Sequence, residues 1–137
     1  MAITSIKKLD APKAKSLARV GLKAFFRLSE SWGLTQADQL TLLGLSSRTT
    51  LNNWKSKAQA NEGIKLGVDT LERLSLILGI QKGIELLFPE SYRVEYMRAP
   101  NRYFNGSSIL DVMLEGRITA LYKARRYLDA SRGAHFG

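Results

Sequence analysis

Within "GLSSRTTLNNWK" the chain sets Ser47, Arg48, Thr49, Thr50, Asn52, Asn53 and Lys55 almost side by side. Arginine can pair bidentately with guanine and asparagine with adenine, while Ser and Thr hydroxyls can bond phosphate oxygens. The chemistry these residue types suit is therefore non-covalent reading of a nucleic acid. Catalytic chemistry finds much less. The single histidine, His135 in "RGAHFG", has no helical partner at metal-ligand spacing, and there is no cysteine. "GLSSR" is not a nucleophile elbow, no Gly-rich loop is built to cradle a phosphate, and the carboxylates are scattered. No acid–base pair assembles, so neither a catalytic residue, a metal nor a cofactor is expected.

A groove-reading segment needs elements that hold it. Thr35 stands three residues before Asp38, the spacing of a capping box, and opens a short helix to Leu43. Gly44 tolerates the left-handed backbone of a corner, and Ser46 or Ser47 can cap the next helix, which runs to about Ala58. Leu40, Leu42, Leu43 and Leu45 would pin the two helices together, with Leu51 and Trp54 on the buried side of the second. This is the layout of a helix-turn-helix: a bracing helix, a corner, and a second helix with polar groups outward. Gln36, at the start of the bracing helix, joins Ser47, Arg48, Thr49, Thr50, Asn52, Asn53 and Lys55 as the expected DNA-binding set. Leu51 lies seven positions after Gly44, one more than in the common repressor pattern. Either the turn is a residue longer or the register differs.

Around this pair the fold reads as all-α. Residues 1–12 look like a polar arm. From 13 to 31, Leu17, Val20, Ala24, Phe25 and Leu28 recur at helical spacing with Lys15, Arg19, Lys23 and Arg27 interleaved, and Gly33 ends the helix. "QANEGIKLG" is a polar hinge, which places a domain boundary between residues 62 and 63. Val68, Leu71, Leu74, Ser75 and Leu78 then form a helical stripe that Gly79 is expected to stop. A short helix, "QKGIELLF", should end before Pro89. "PESYRVEYMRAPNRYFNG" reads as a long connection, within which "SYRVEYM" alternates weakly but would have no strand to pair with. Ser108 and Asp111 repeat the capping spacing, and a last helix is expected over residues 117–131.

The chain has 137 residues and a formal charge of +9. Residues 1–60 hold ten Lys/Arg against three Asp/Glu, and the remainder eleven against nine. The excess thus sits in the half with the helix-turn-helix, where it attracts polyanions by steering and counterion release. The start lacks the apolar core of a secretory signal, and the longest apolar run, "LSLILGI", is too short to span a bilayer. A cytoplasmic location is expected.

In the second half, Tyr92, Tyr96, Tyr103, Phe104 and Tyr122 lie among arginines, the pairing of types that dominates protein–protein hot spots. The same aromatics could instead close the core between helices, the reading favoured for Phe104. "SRGAHFG" reads as a loose end, either a plain tail or one that can enter a partner's pocket.

Four blocks in order, "LERLSLILGI", "LFP", "APNRYFNGSSILDVMLEG" and "YLDASRG", make residues 68–133 resemble the toxin-binding domain of the MbcA/ParS/Xre antitoxin family. Its Pro-Asn and Phe-x-Gly-x-Ser elements correspond here to Pro100, Asn101, Phe104, Gly106 and Ser108. Tyr96-Met97 precede Arg98 where many members carry Trp. Residues 1–62 resemble the Xre-type helix-turn-helix that precedes this domain in the family. The resemblance implies an antitoxin of a type II toxin–antitoxin system, not an enzyme, acting as a homodimer on operator DNA to repress its own operon. The implied partner is a RES-domain toxin that degrades NAD, blocked at its active site by the antitoxin's C-terminal region. It assigns toxin contact to Arg98, Asn101, Arg125, Tyr127, Asp129, Arg132 and Gly133. Asp129 or the terminal carboxylate could mimic a phosphate there, or Arg132 could pair with an acidic residue of the toxin. The other reading is a dimeric helix-turn-helix regulator whose residues 63–137 serve only dimerisation or ligand sensing.

Overall fold

The computed structural model describes residues 11–136, with side chains to Gly133, and every regular element among the described residues is a helix. The polar arm expected over residues 1–12 lies outside the described residues as far as residue 10, as do the side chains of His135 and Phe136. The chain divides into two compact units, residues 1–78 and 79–137. The hinge expected at 62/63 is a loop in the structure, over residues 60–67.

In the first unit, α1 (Ala11–Trp32) carries Pro12 in its first turn, where a missing N–H costs nothing. Its buried stripe is Ala18, Leu22, Phe25, Leu28, Ser29 and Trp32. Ser29 is satisfied within the helix, its Oγ donating to the Phe25 carbonyl at 2.8 Å. Val20, expected on the apolar face, is 55% exposed. It stands two residues before Leu22, about half a helical turn from the stripe that packs. Gly33 takes φ 68°, and Leu34 N–H closes back on the Ser29 carbonyl at 2.9 Å.

α2 (Gln36–Leu43) starts at the Thr35 capping box. Thr35 Oγ1 accepts from Asp38 N–H at 3.0 Å, and Thr35 N–H donates to Asp38 Oδ2 at 3.0 Å. α3 (Arg48–Gln59) is capped by Ser47, whose Oγ accepts from Thr50 N–H at 3.2 Å. α1 and α2 both pack on α3. The loop after α3 returns to α1, where buried Ile64 donates its N–H to the Lys15 carbonyl at 3.4 Å.

α4 (Val68–Leu87) corrects two expectations at once. Gly79 does not stop the helix, and "QKGIELLF" is its continuation rather than a separate element. The reason is tertiary: a Cβ on Gly79 would collide with the Arg125 guanidinium, and one on Gly83 would lie 3.3 Å from Leu128 Cβ. Gly83 lets the neighbouring helix approach, and Gly79 leaves room for the Arg125 side chain. The helix does stop at Leu87, before Pro89, as the proline rule requires.

In the second unit, α5 (Glu90–Arg98) occupies what reads as an extended or irregular connection. "SYRVEYM" is helical, with Met97 buried, Arg93 and Tyr96 half-buried and Tyr92, Val94 and Glu95 exposed, a local pattern too short to announce its period. A 3₁₀ turn (Arg102–Phe104) leads to α6 (Ile109–Met113), nearly all of whose side chains are buried. α7 (Ile118–Phe136) runs past Ser131 and Gly133, longer than expected; Ser131 Oγ donates to the Tyr127 carbonyl at 2.9 Å and stays within the helix. α6 packs on α5 and α7. No helix among the described residues is long and apolar enough to cross a membrane.

Candidate functional site

The corner between α2 and α3 is made by four residues, 44–47. Gly44 caps α2 at φ 70°, and Leu45 N–H reaches back to the Leu40 carbonyl at 2.9 Å. Leu42, Leu43 and Leu51 are buried, while Leu40, Leu45 and Trp54 are half-buried. Ser47 is the cap rather than Ser46, so Leu51 falls at the fourth position of α3, which settles the register.

That register decides which polar residues face out. Arg48, Thr49, Asn52, Asn53 and Lys55 are exposed, and so is the Ser47 cap; Thr50 is half-buried and its N–H is held by Ser47. Gln36 Nε2 donates to Asn52 Oδ1 at 3.1 Å, tying the first residue of α2 to the outer face of α3. This bond leaves the Asn52 amide hydrogens free and one Oδ1 lone pair unused. Those are the groups an adenine edge requires. The expected set therefore falls on one surface, with Gln36 orienting Asn52, Ser47 holding the helix start, and Thr50 turned partly inward.

Arg73 escaped the reading of the sequence. It lies against Gly44 and is ion-paired to Asp69 at 3.0 Å, with its side chain only 12% exposed. Nothing local marks it, because its partner at the corner is twenty-nine positions away.

In the second unit, the residues assigned by resemblance divide between two flanks of α7 and the loop before α6. Arg125, Asp129 and Arg132 recur at intervals of four and three and so share a flank. Arg125 Nε donates to Asp129 Oδ1 at 3.3 Å, and its guanidinium covers Gly79. Arg132 is half-buried, and its Nε has no partner among the described residues. Tyr127 lies on the other flank, its ring 4.7 Å from Tyr103 and 5.1 Å from Phe104. Phe104 is buried, whereas Tyr103 is 63% exposed.

Asn101 organises the loop. Its Oδ1 accepts from Tyr103 N–H at 2.9 Å, and its carbonyl accepts from Phe104 and Gly106 N–H at 3.1 and 2.9 Å. Tyr96 is hydrogen-bonded to both Tyr127 and Asn101. Its phenol is pushed well above the ordinary tyrosine range, first by burial and then by Tyr127, with Asn101 acting in the opposite sense. Asn101 and Tyr127 thus have structural partners inside the unit. Arg98, Asp129 and Gly133 are exposed.

Among the described residues, no group of His, Asp and Glu is placed to hold a metal ion.

Residues 12–79 match the antitoxin Xre-like helix-turn-helix domain family. The chain is also similar to y4oB, an uncharacterized protein of Sinorhizobium fredii, with 45% identity over 113 residues that cover 82% of this chain and 84% of that protein.

Proposed function

Since the chain belongs to one family with y4oB and its residues 12–79 are an antitoxin Xre-like helix-turn-helix domain, we propose that it is the antitoxin of a type II toxin–antitoxin pair. Its first unit binds operator DNA and represses the operon, as a homodimer on two half-sites about one helical turn apart. Its second unit neutralises a RES-domain, NAD-degrading toxin by covering the active site with the C-terminal part of α7. The partner class comes from the resemblance of the four sequence blocks over residues 68–133.

The observation that carries the DNA half is the Gln36–Asn52 bond. It presets an asparagine amide on the exposed face of α3, between Arg48 and Lys55, before any DNA arrives. A positioned amide loses less freedom on binding than a mobile one. For the toxin half, the Arg125–Asp129–Arg132 flank of α7 offers charges of both signs on one surface. Asp129 can occupy a site built for phosphate, and Arg132 can meet an acidic side chain.

The decisive experiment co-expresses the chain with the product of the adjacent gene, which this reading makes a RES-domain toxin, and follows cellular NAD. NAD should hold steady with the full chain and fall when residues 131–137 are deleted. Retained protection by the truncated chain would refute active-site blocking by that segment. Failure of the full chain to protect, with intact binding to its own upstream DNA, would favour a regulator whose second unit only dimerises or senses a ligand.

A further inference from the structure

The first unit carries a second charged surface beside the base-reading face. Between α1 and α3 lies a groove of about 220 Å³ lined by Lys23, Phe26, Arg27, Glu30, Lys55 and Gln59. Three cations meet one carboxylate there. Among the described residues none of Lys23, Arg27 and Lys55 has an acidic partner. At the end of the groove, Lys23 Nζ and Arg19 Nη1 both donate to Asn61 Oδ1, at 2.9 and 3.3 Å. A neutral amide thus gathers two cations without neutralising either. Such a row of like charges sets up a positive potential along the groove, to which a polyanion is drawn.

The groove's place on α3 says which polyanion. Lys55 follows Asn52 by three residues and Gln59 follows Lys55 by four, so all three share one flank. Asn52 is the residue that Gln36 orients for base contact. A helix with its side chains is roughly 10–12 Å across, and the B-DNA major groove is about 12 Å wide. Lys55 is turned about 60° around the helix from Asn52, so with Asn52 at a base edge it points toward a wall of the groove, and that wall is sugar-phosphate. α1 lies along this flank and brings Lys23 and Arg27 to the same side.

We propose that Lys23, Arg27 and Lys55 form a ledge for one phosphate strand of the duplex whose bases the outer face of α3 reads. This rests on the DNA-binding reading above and adds α1 to it. The ledge supplies affinity and register without sequence information, and Glu30, the one acid in the groove, holds that affinity down.

The test uses the full chain in fluorescence anisotropy, titrated over a salt series against a duplex from its own upstream region and an unrelated duplex of equal length. For the Lys23→Gln/Arg27→Gln double variant, the slope of log affinity against log salt should flatten by about 2. Both duplexes should weaken by the same factor, so that their ratio stays constant, and thermal melting should not change. Glu30→Gln should tighten both. Asn52→Ala should instead collapse the ratio with the slope nearly intact. An unchanged slope in the double variant, with Glu30→Gln also silent, overturns the ledge while leaving base reading standing. Loss of a complex with an acidic protein, with DNA binding untouched, assigns the groove to that protein and overturns it too. A wild-type chain that binds neither duplex removes the DNA-binding reading itself.

Discussion

Arg73 lies across the corner glycine of the helix-turn-helix. A Cβ built on Gly44 would stand 2.7 Å from Arg73 Nε, the nitrogen that also donates to Asp69 Oδ2 at 3.0 Å. Two separate constraints therefore meet at Gly44: a left-handed backbone at φ 70° and a mostly buried guanidinium against its α-carbon.

Gly44→Ala should accordingly destabilise the protein by about 1–2 kcal/mol, roughly 1 from the left-handed conformation and the rest from displacing Arg73. Urea denaturation followed by circular dichroism measures it. In an Arg73→Ala background the same change should cost less, because only the backbone contribution remains; equal costs in both backgrounds would show that the contact is idle.

Ser108 and Thr35 head the two capping boxes, and their burial separates them. Ser108 is 5% exposed and starts a five-residue helix too short to persist alone, whereas Thr35 is exposed. Ser108→Ala should cost about 1–2 kcal/mol and Thr35→Ala about 0.5–1. Thermal denaturation of the two variants should preserve that order.

At Gly79 the obstacle is the far end of a flexible side chain, so it can give way. Gly79→Ala gains roughly 1 kcal/mol of helix propensity and loses the half-exposed Arg125–Asp129 pair, worth about 0.3–0.5. The net change should stay within about 1 kcal/mol of zero. With Arg125→Ala already in place, the same substitution should be plainly stabilising, by about 0.5–1 kcal/mol. A large loss in either background would mean that the α4–α7 contact, not the guanidinium, limits the position.

Tyr96 gives the alkaline limb of the stability curve. Its folded pKa lies above the ordinary value of 10.0. A group whose folded pKa is raised stabilises the fold fully below its unfolded pKa, and that stability is lost as pH rises toward the folded value. Stability should therefore begin to fall above about pH 10, and tyrosinate absorbance should show a late step from Tyr96. Tyr96→Phe should abolish the late step and flatten the decline.

How much of this was legible beforehand follows from the range of the interactions. The Thr35–Asp38 and Ser108–Asp111 boxes, the Gly44 corner and the stop before Pro89 are set within four or five residues. Their physics is local hydrogen bonding and steric exclusion, so composition and spacing displayed them. Most of the exposed polar face of α3 was legible for the same reason: once α3 begins at Arg48, its period fixes which polar residues point away from Leu51.

Other features depend on neighbours distant in sequence. Gly79 reads as a helix stop because glycine ends many helices; only the arrival of Arg125 makes it a packing site inside α4. Val20 looks apolar and in phase, and only the packing partner chose the stripe through Leu22 and Phe25 instead. "SYRVEYM" is a helix because burial of Met97 outweighs a weak alternation. Tyr127 meets Tyr96, Tyr103 and Phe104 across a separation that no spacing reveals. The sequence alone determined the first three helices, the capping boxes at Thr35 and Ser108 and the polar outer face of α3, because those are written in contacts of three to five residues. Tertiary structure decided how far α4 and α7 run, which aromatics are buried, and which cations gather beside Lys55. Those outcomes depend on packing free energy between segments whose separation the chain does not encode locally.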